Sequence, residues 1–239
     1  MINPVTELRA FFRAALVDRV DRDHEESAEA LVQRRWISSV TLAVGSFMLA
    51  WSLRLSPGNP AYYAATLALA VTWIVGGLLS GKLYLGSANS RDGQRASRGI
   101  LQAVILGLLL LGLFLGVAAL ASPVPALRDQ LAVLLVPSYF SFLPVVVLLT
   151  LLNAIGEELF FRGALYAAVG GRQAMLVTTL VYALTTIPTG LPVMVLSAAL
   201  VGVVVGLQRR VTGGVLAPVI THVIWAMGVL FLLPVALGL

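Results

Sequence analysis

After residue 35 polar positions become sparse, and the chain reads as a succession of apolar runs separated by short turn-forming stretches. Helical runs over 36–54, 61–81, 99–121, 140–169, 173–188, 191–208 and 214–237 are read as membrane spans, on the scale needed to cross a hydrocarbon layer about 30 Å thick. The breaks between them carry Pro, Gly, Ser and Asn: SPGNP at 56–60, SANSRDG at 87–93, SPVP at 122–125, GG at 170–171, IPTGLP at 187–192 and TGG at 212–214. A short apolar piece at 126–139, ended by Pro137, is read as interfacial or re-entrant. The expected architecture is an all-α, polytopic membrane helix bundle of about seven transmembrane helices.

The first 35 residues have a different pattern. Leu8, Phe11, Phe12, Ala15 and Leu16 alternate at helical spacing with Arg9, Arg13, Asp18 and Arg19. That amphipathic stripe suits a helix lying on a membrane surface or one packed on the protein's own cytoplasmic side. The mixed-charge stretch at 21–35 is solvated, and His24, among Asp21, Asp23, Glu25 and Glu26, is a surface residue. Two regions follow: a cytoplasmic segment at 1–35 and a single membrane domain at 36–239. The N-terminus lacks the charged, apolar and small-residue order of a cleaved signal peptide.

Composition agrees with the pattern: 59% of residues are hydrophobic, only 11% are charged, and mean hydropathy is +0.95. Cysteine is absent, which excludes disulfides, thiolate metal sites and a cysteine nucleophile. The net charge of +5 comes from loop arginines and reports topology, with no nucleic-acid partner implied. With a cytoplasmic N-terminus, the N-terminal arginines fall on one side with Arg34, Arg35, Lys82, Arg91, Arg95, Arg98, Arg172, Arg209 and Arg210. The other side holds only Arg54 and Arg128.

Against this background AIGEELFFRGALYAA at 154–168 stands out, because ionisable groups inside a membrane helix are costly and mark function. Glu158 and Arg162 are four apart and can pair on one face, whereas Glu157 points about 100° away. An acid with no partner along its own helix suits a general base or proton carrier. His222 is the only histidine within the spans. Glu157 and His222 each lie about 12 residues, roughly 18 Å, in from the arginine-bearing ends of their helices, so the two can meet. Tyr182 and Thr186 lie at roughly 15–21 Å on adjacent turns of one face, and Asn153 shares the face of Glu157. A carboxylate and an imidazole facing each other can activate water and stabilise an oxyanion. One histidine with two adjacent acids lacks the usual ligand count of a metal site, so no metal and no other cofactor is expected.

The Glu157, Glu158, Arg162 spacing followed by Gly163 resembles the first motif of the CAAX protease and bacteriocin-processing (CPBP, or Abi) family, the intramembrane glutamic endopeptidases. The resemblance covers about residues 140–237. It implies Glu157 as the water-activating base, Glu158 with Arg162 as its supporting pair, and His222 as an oxyanion stabiliser. The family's second motif has an aromatic residue followed four positions later by histidine, which here are Tyr182 and Thr186; the third places an amide or acid where this chain has Ala226. Thr185, Thr186, Asn153 and Tyr182 are the candidates to replace the missing groups. The implied substrate is a peptide or lipid-modified protein within a bilayer, the implied location a bacterial plasma membrane. The alternative is an inactive relative serving as a binding or immunity scaffold. A proton-coupled transporter is disfavoured because no internal repeat is evident.

Overall fold

The computed structural model describes residues 4–17, 24–56, 58–89, 96–97, 99–136 and 141–238. Asp18, Arg19, Asp21, Asp23, Arg91, Arg95, Arg98 and Pro137 lie outside the described residues. In chain order the helices are α1 (Pro4–Phe12), α2 (Ala28–Ser52), α3 (Pro60–Leu79), α4 (Ile100–Ala121), α5 (Pro125–Val133), α6 (Leu143–Glu158), α7 (Tyr166–Val169), α8 (Ala174–Thr185), α9 (Pro192–Thr212) and α10 (Leu216–Ala236). A five-residue π turn, Arg13–Val17, extends α1, and a two-residue antiparallel pair, Ala88–Asn89 with Ala96–Ser97, is the only strand structure among the described residues.

Helix boundaries follow local chemistry. Ser27 and Asn59 accept from the backbone N–H groups of Ala30 and Ala61, and proline occupies the first turn of α3, α5, α6 and α9, where its missing N–H costs nothing. Gly213 ends α9 in the left-handed region, at φ 70°.

Each of the seven expected stretches contains helix among its described residues, with differences of detail. Five segments are long and apolar enough to cross a membrane: Pro60–Leu79, Ile100–Ala121, Leu143–Val169, Pro192–Thr212 and Leu216–Ala236. The first expected span is the later part of α2, which begins at Ala28 inside the stretch read as solvated. The fifth is α8 followed by a 3-10 turn at Ile187–Thr189, shorter than a full crossing. The expected 140–169 helix contains a π-helical segment, Leu159–Leu165, between α6 and α7. The apolar stripe of the N-terminal segment divides. Phe11 and Ala15 are buried against Leu106, Leu207 and Val211 of the bundle, while Phe12 and Leu16 are exposed.

Packing concentrates around the π-helical segment. Trp73 of α3 stacks on Phe160 at 4.8 Å, and Phe161 meets Tyr182 at the same distance. These rings join Leu69, Ala164, Ala183 and Ala198 in one buried cluster, which ties the π segment to α3, α8 and α9.

Candidate active site

The acidic pair sits at the C-terminal end of α6, where the helix widens into the π segment, a feature frequent at functional sites. Arg162 Nη1 donates to Glu158 Oε1 at 3.3 Å across the expected four-residue spacing, and both side chains are completely buried. The guanidinium also lies over the Tyr182 ring, 4.8 Å from its centroid, a favourable cation–π arrangement. Gly202 makes this approach possible, since a Cβ there would stand 3.2 Å from Arg162 Nη2.

The second acid is placed differently. The Glu157 side chain retains 21% exposure and faces a cleft of about 330 Å³, whereas Glu158 has none. Glu157 is not unpartnered as its own helix alone predicts, because Tyr182 on α8 donates its hydroxyl to Glu157 Oε2 at 2.6 Å. Helix spacing shows only partners on the same helix, and this one comes from a neighbour.

His222 reaches the same depth, as the residue counting predicts, but its closest bond is to the buried acid. Nδ1 lies 2.7 Å from Glu158 Oε1, and Nε2 stands 4.0 Å from Glu157 Oε2. The Glu158 carboxylate can only accept here, so Nδ1 carries the proton and Nε2 turns toward Glu157. A 4.0 Å gap is too long for a direct bond yet lets one water contact both atoms at about 2.8 Å.

The remaining candidates separate into two groups. Asn153, Thr185 and Thr186 all line the cleft. The two threonine hydroxyls donate to Tyr182 O and Ala183 O on their own helix at 2.7 Å, so their protons are turned away from Glu157. Asn153 donates to Leu149 O at 2.9 Å, and its Oδ1 is buried with no partner. Ala226 also lines the cleft and offers no donor. Glu158 Oε2, Arg162 Nε and Arg162 Nη2 are likewise buried without hydrogen-bond partners.

Sequence reasoning missed the groups that orient the site. Gln208 Nε2 donates to Thr221 Oγ1 at 2.8 Å, and Thr221 in turn donates to Ala103 O at 2.8 Å. This buried chain ties α9 and α4 to the residue just before His222. The available signal was a lone amide and a threonine near the arginine-bearing ends of two apolar helices. The arginines at the helix ends also make specific contacts. Arg34 is buried against Glu26, Ser80 and Lys82, and Arg209 Nε donates to Arg162 O at 2.7 Å. His24, though exposed, stacks on Tyr84 and bonds Gly213 O at 3.0 Å.

Residues 139–228 match the family model described as Type II CAAX prenyl endopeptidase Rce1-like. This span contains Glu157, Glu158, Arg162, Tyr182 and His222. No curated protein and no solved structure matches the chain. The apolar helices and the Rce1-like match identify an integral membrane protein.

Proposed function

We propose, proceeding from the Rce1-like match over residues 139–228, that this protein is an intramembrane endopeptidase in which Glu157 activates the hydrolytic water. The observation that carries the reading is the placement of Glu157, a partly exposed side chain lining the cleft, with Oε2 2.6 Å from the Tyr182 hydroxyl and 4.0 Å from His222 Nε2. A water between the carboxylate and the imidazole gives a proton to Glu157 as its oxygen attacks the scissile carbonyl carbon. The C–N bond then breaks, and Glu157 returns the proton to the departing amine, leaving a carboxylic acid and an amine.

Each neighbour has a task in this reaction. Tyr182 holds the Glu157 carboxylate toward the cleft. Glu158 and Arg162 fix the His222 ring through Nδ1, and His222 Nε2, when it carries a proton, donates to the developing oxyanion. No step of this route requires a metal or other cofactor. The test is hydrolysis of a membrane-reconstituted peptide by the wild type and by Glu157→Gln and His222→Ala, each checked for folding. Retention of full activity in folded Glu157→Gln would falsify the assignment.

A second reading rests on the Thr186 and Ala226 positions. The Thr186 proton is committed to Ala183 O, and Ala226 supplies no donor, so the cleft has fewer donors than the resembling family's motifs provide. This favours a binding or immunity scaffold that keeps the cleft without turnover. The double variant Thr186→His, Ala226→Asn separates the readings, because a weak enzyme speeds up and a scaffold gains nothing.

The proposed topology is seven spans in one membrane domain, with residues 1–35 and the arginine-rich helix ends in the cytoplasm. Reporter fusions after Arg172 and Arg210 are expected to read cytoplasmic, and one after Gln130 external. Opposite readings at 172 and 210 would break the seven-span arrangement.

A further inference from the structure

The two ends of the bundle carry very different charge. At one end meet the start of α2 with Arg34 and Arg35, Lys82 after α3, Arg172 between α7 and α8, and Arg209 with Arg210 at the end of α9. Direct bonds hold these pieces on the same side. Val215 N–H donates to Tyr84 O at 2.9 Å, Ser87 N–H to Thr212 O at 2.8 Å, and Arg35 Nε to Ala168 O at 3.0 Å. At the opposite end Phe142 N–H donates to the Tyr63 hydroxyl at 2.9 Å, and Arg128 to Leu237 O at 3.4 Å. Among the described residues only Arg54 and Arg128 are basic at that end.

The lining of the cleft that contains Glu157 extends to the basic-poor end of the bundle and not to the basic one. Its outer part is formed by Ser52 and Leu53 at the end of α2, Tyr62 at the start of α3 and Met194 at the start of α9. Every residue of the basic end lies outside its lining. An excess of Lys and Arg marks the cytoplasmic side of a membrane protein, so the mouth faces the exoplasmic side, away from the cytoplasm.

The lining also restricts what enters. It contains no Lys or Arg. Arg162 lies behind Tyr182 and Glu158, fully buried. A free C-terminal carboxylate is normally captured by a cation or a group of backbone N–H donors, and a carboxylate left unpaired in an apolar site is costly. The walls are instead mainly aromatic and aliphatic, Trp73, Phe161 and Trp225 among them, and the hydroxyl and amide groups interspersed with them are uncharged.

We infer that the cleft admits, from the exoplasmic side, an uncharged apolar segment internal to its polypeptide, of the kind found at the outer end of another protein's membrane helix. The chemistry at the cleft rests on the peptidase reading above; the side and the segment class rest on the helix ends and the lining.

Because the chain has no cysteine, single-cysteine variants report without background. Leu53→Cys and Met194→Cys probe the mouth, Lys82→Cys and Arg172→Cys the opposite end. A membrane-impermeant maleimide should label the first pair in intact cells and lose that labelling in sealed inside-out vesicles, with the reverse for the second pair. Labelling of Leu53→Cys and Met194→Cys only in inside-out vesicles overturns the inference, whatever the protein's activity. A second measurement uses single-span reporters carrying the same Ala, Leu and Phe segment at the exoplasmic or the cytoplasmic end of the helix. Cleavage of the exoplasmic form alone, lost in Glu157→Gln, supports the inference; Glu157-dependent cleavage of the cytoplasmic form overturns it and leaves the peptidase reading standing. If neither form is cleaved while the mouth labels from outside, the side assignment is supported and the peptidase reading fails.

Discussion

Two arginine–glutamate pairs in this protein, each with a buried guanidinium, differ in how completely they are satisfied. Arg34, at the basic end of the bundle, binds both oxygens of Glu26 and also donates to Ser80 Oγ at 3.1 Å and Lys82 O at 3.1 Å. Arg162, inside the bundle, makes one hydrogen bond to Glu158 at 3.3 Å, and Glu158 Oε2 with Arg162 Nε and Nη2 has none. Buried charges cost stability unless their hydrogen-bonding capacity is used, so a purely structural pair tends toward the Arg34 pattern. The Arg162 pair spends part of that capacity on holding His222 and on the face of Tyr182. Spare polar capacity beside a cleft is therefore a better sign of chemistry than burial alone.

This contrast can be broken by substitution. The largest effect is expected for Glu157→Gln, which removes the proposed base and lowers kcat by about 10²–10⁴-fold while leaving the melting temperature nearly unchanged. Arg162→Ala leaves Glu158 buried beside His222 without its guanidinium, a loss of about 3–5 kcal/mol by chemical denaturation together with loss of activity. Equal destabilisation by these two substitutions would erase the division between reacting and supporting acids. Tyr182→Phe removes one hydrogen bond to a carboxylate, about 1.5–3 kcal/mol, and is expected to slow turnover about 10- to 100-fold with a smaller change in KM. Arg34→Ala should cost about 1–3 kcal/mol of stability, from Lys82 O and the Glu26 carboxylate losing their donor, with kcat unchanged in the folded fraction. A fall in kcat as large as that for Tyr182→Phe would show that the edge pair also serves the site.

The parts of the site legible in the sequence were those fixed within one helix or by simple depth. Glu158 and Arg162 meet because four residues bring side chains to one face, and His222 comes level with Glu157 because the helix of Glu157 ends, and α10 begins, at turn-bounded, arginine-bearing positions. What stayed hidden depends on rotation about helix axes and on neighbouring helices. His222 bonds Glu158 in preference to Glu157 because α10 is oriented partly by the Gln208–Thr221–Ala103 chain, which no local spacing encodes. Tyr182 finds Glu157 from another helix, and the threonine hydroxyls turn to their own backbone, a local competition that residue type alone leaves open. The π-helical stretch at Leu159–Leu165 has no proline to announce it, and its single Gly163 is equally compatible with an ordinary helix.

The backbone seam between residues 84–87 and 212–216 bears on which part of the chain can stand alone. Gly86 and Gly214 approach so closely that a Cβ on Gly214 would fall 2.1 Å from Gly86 N, and three backbone hydrogen bonds cross the seam beside them. One side of this seam lies well before residue 139 and the other inside the Rce1-like stretch. Trp73, stacked on Phe160, and Ala103, bonded to Thr221, are also outside that stretch. A chain beginning at residue 139 would keep every acid and histidine of the site yet lose the aromatic wall behind the π segment and the strap beside α10. The matched segment is therefore a unit of recognisable sequence, while the packing that surrounds the site draws on the helices that precede it.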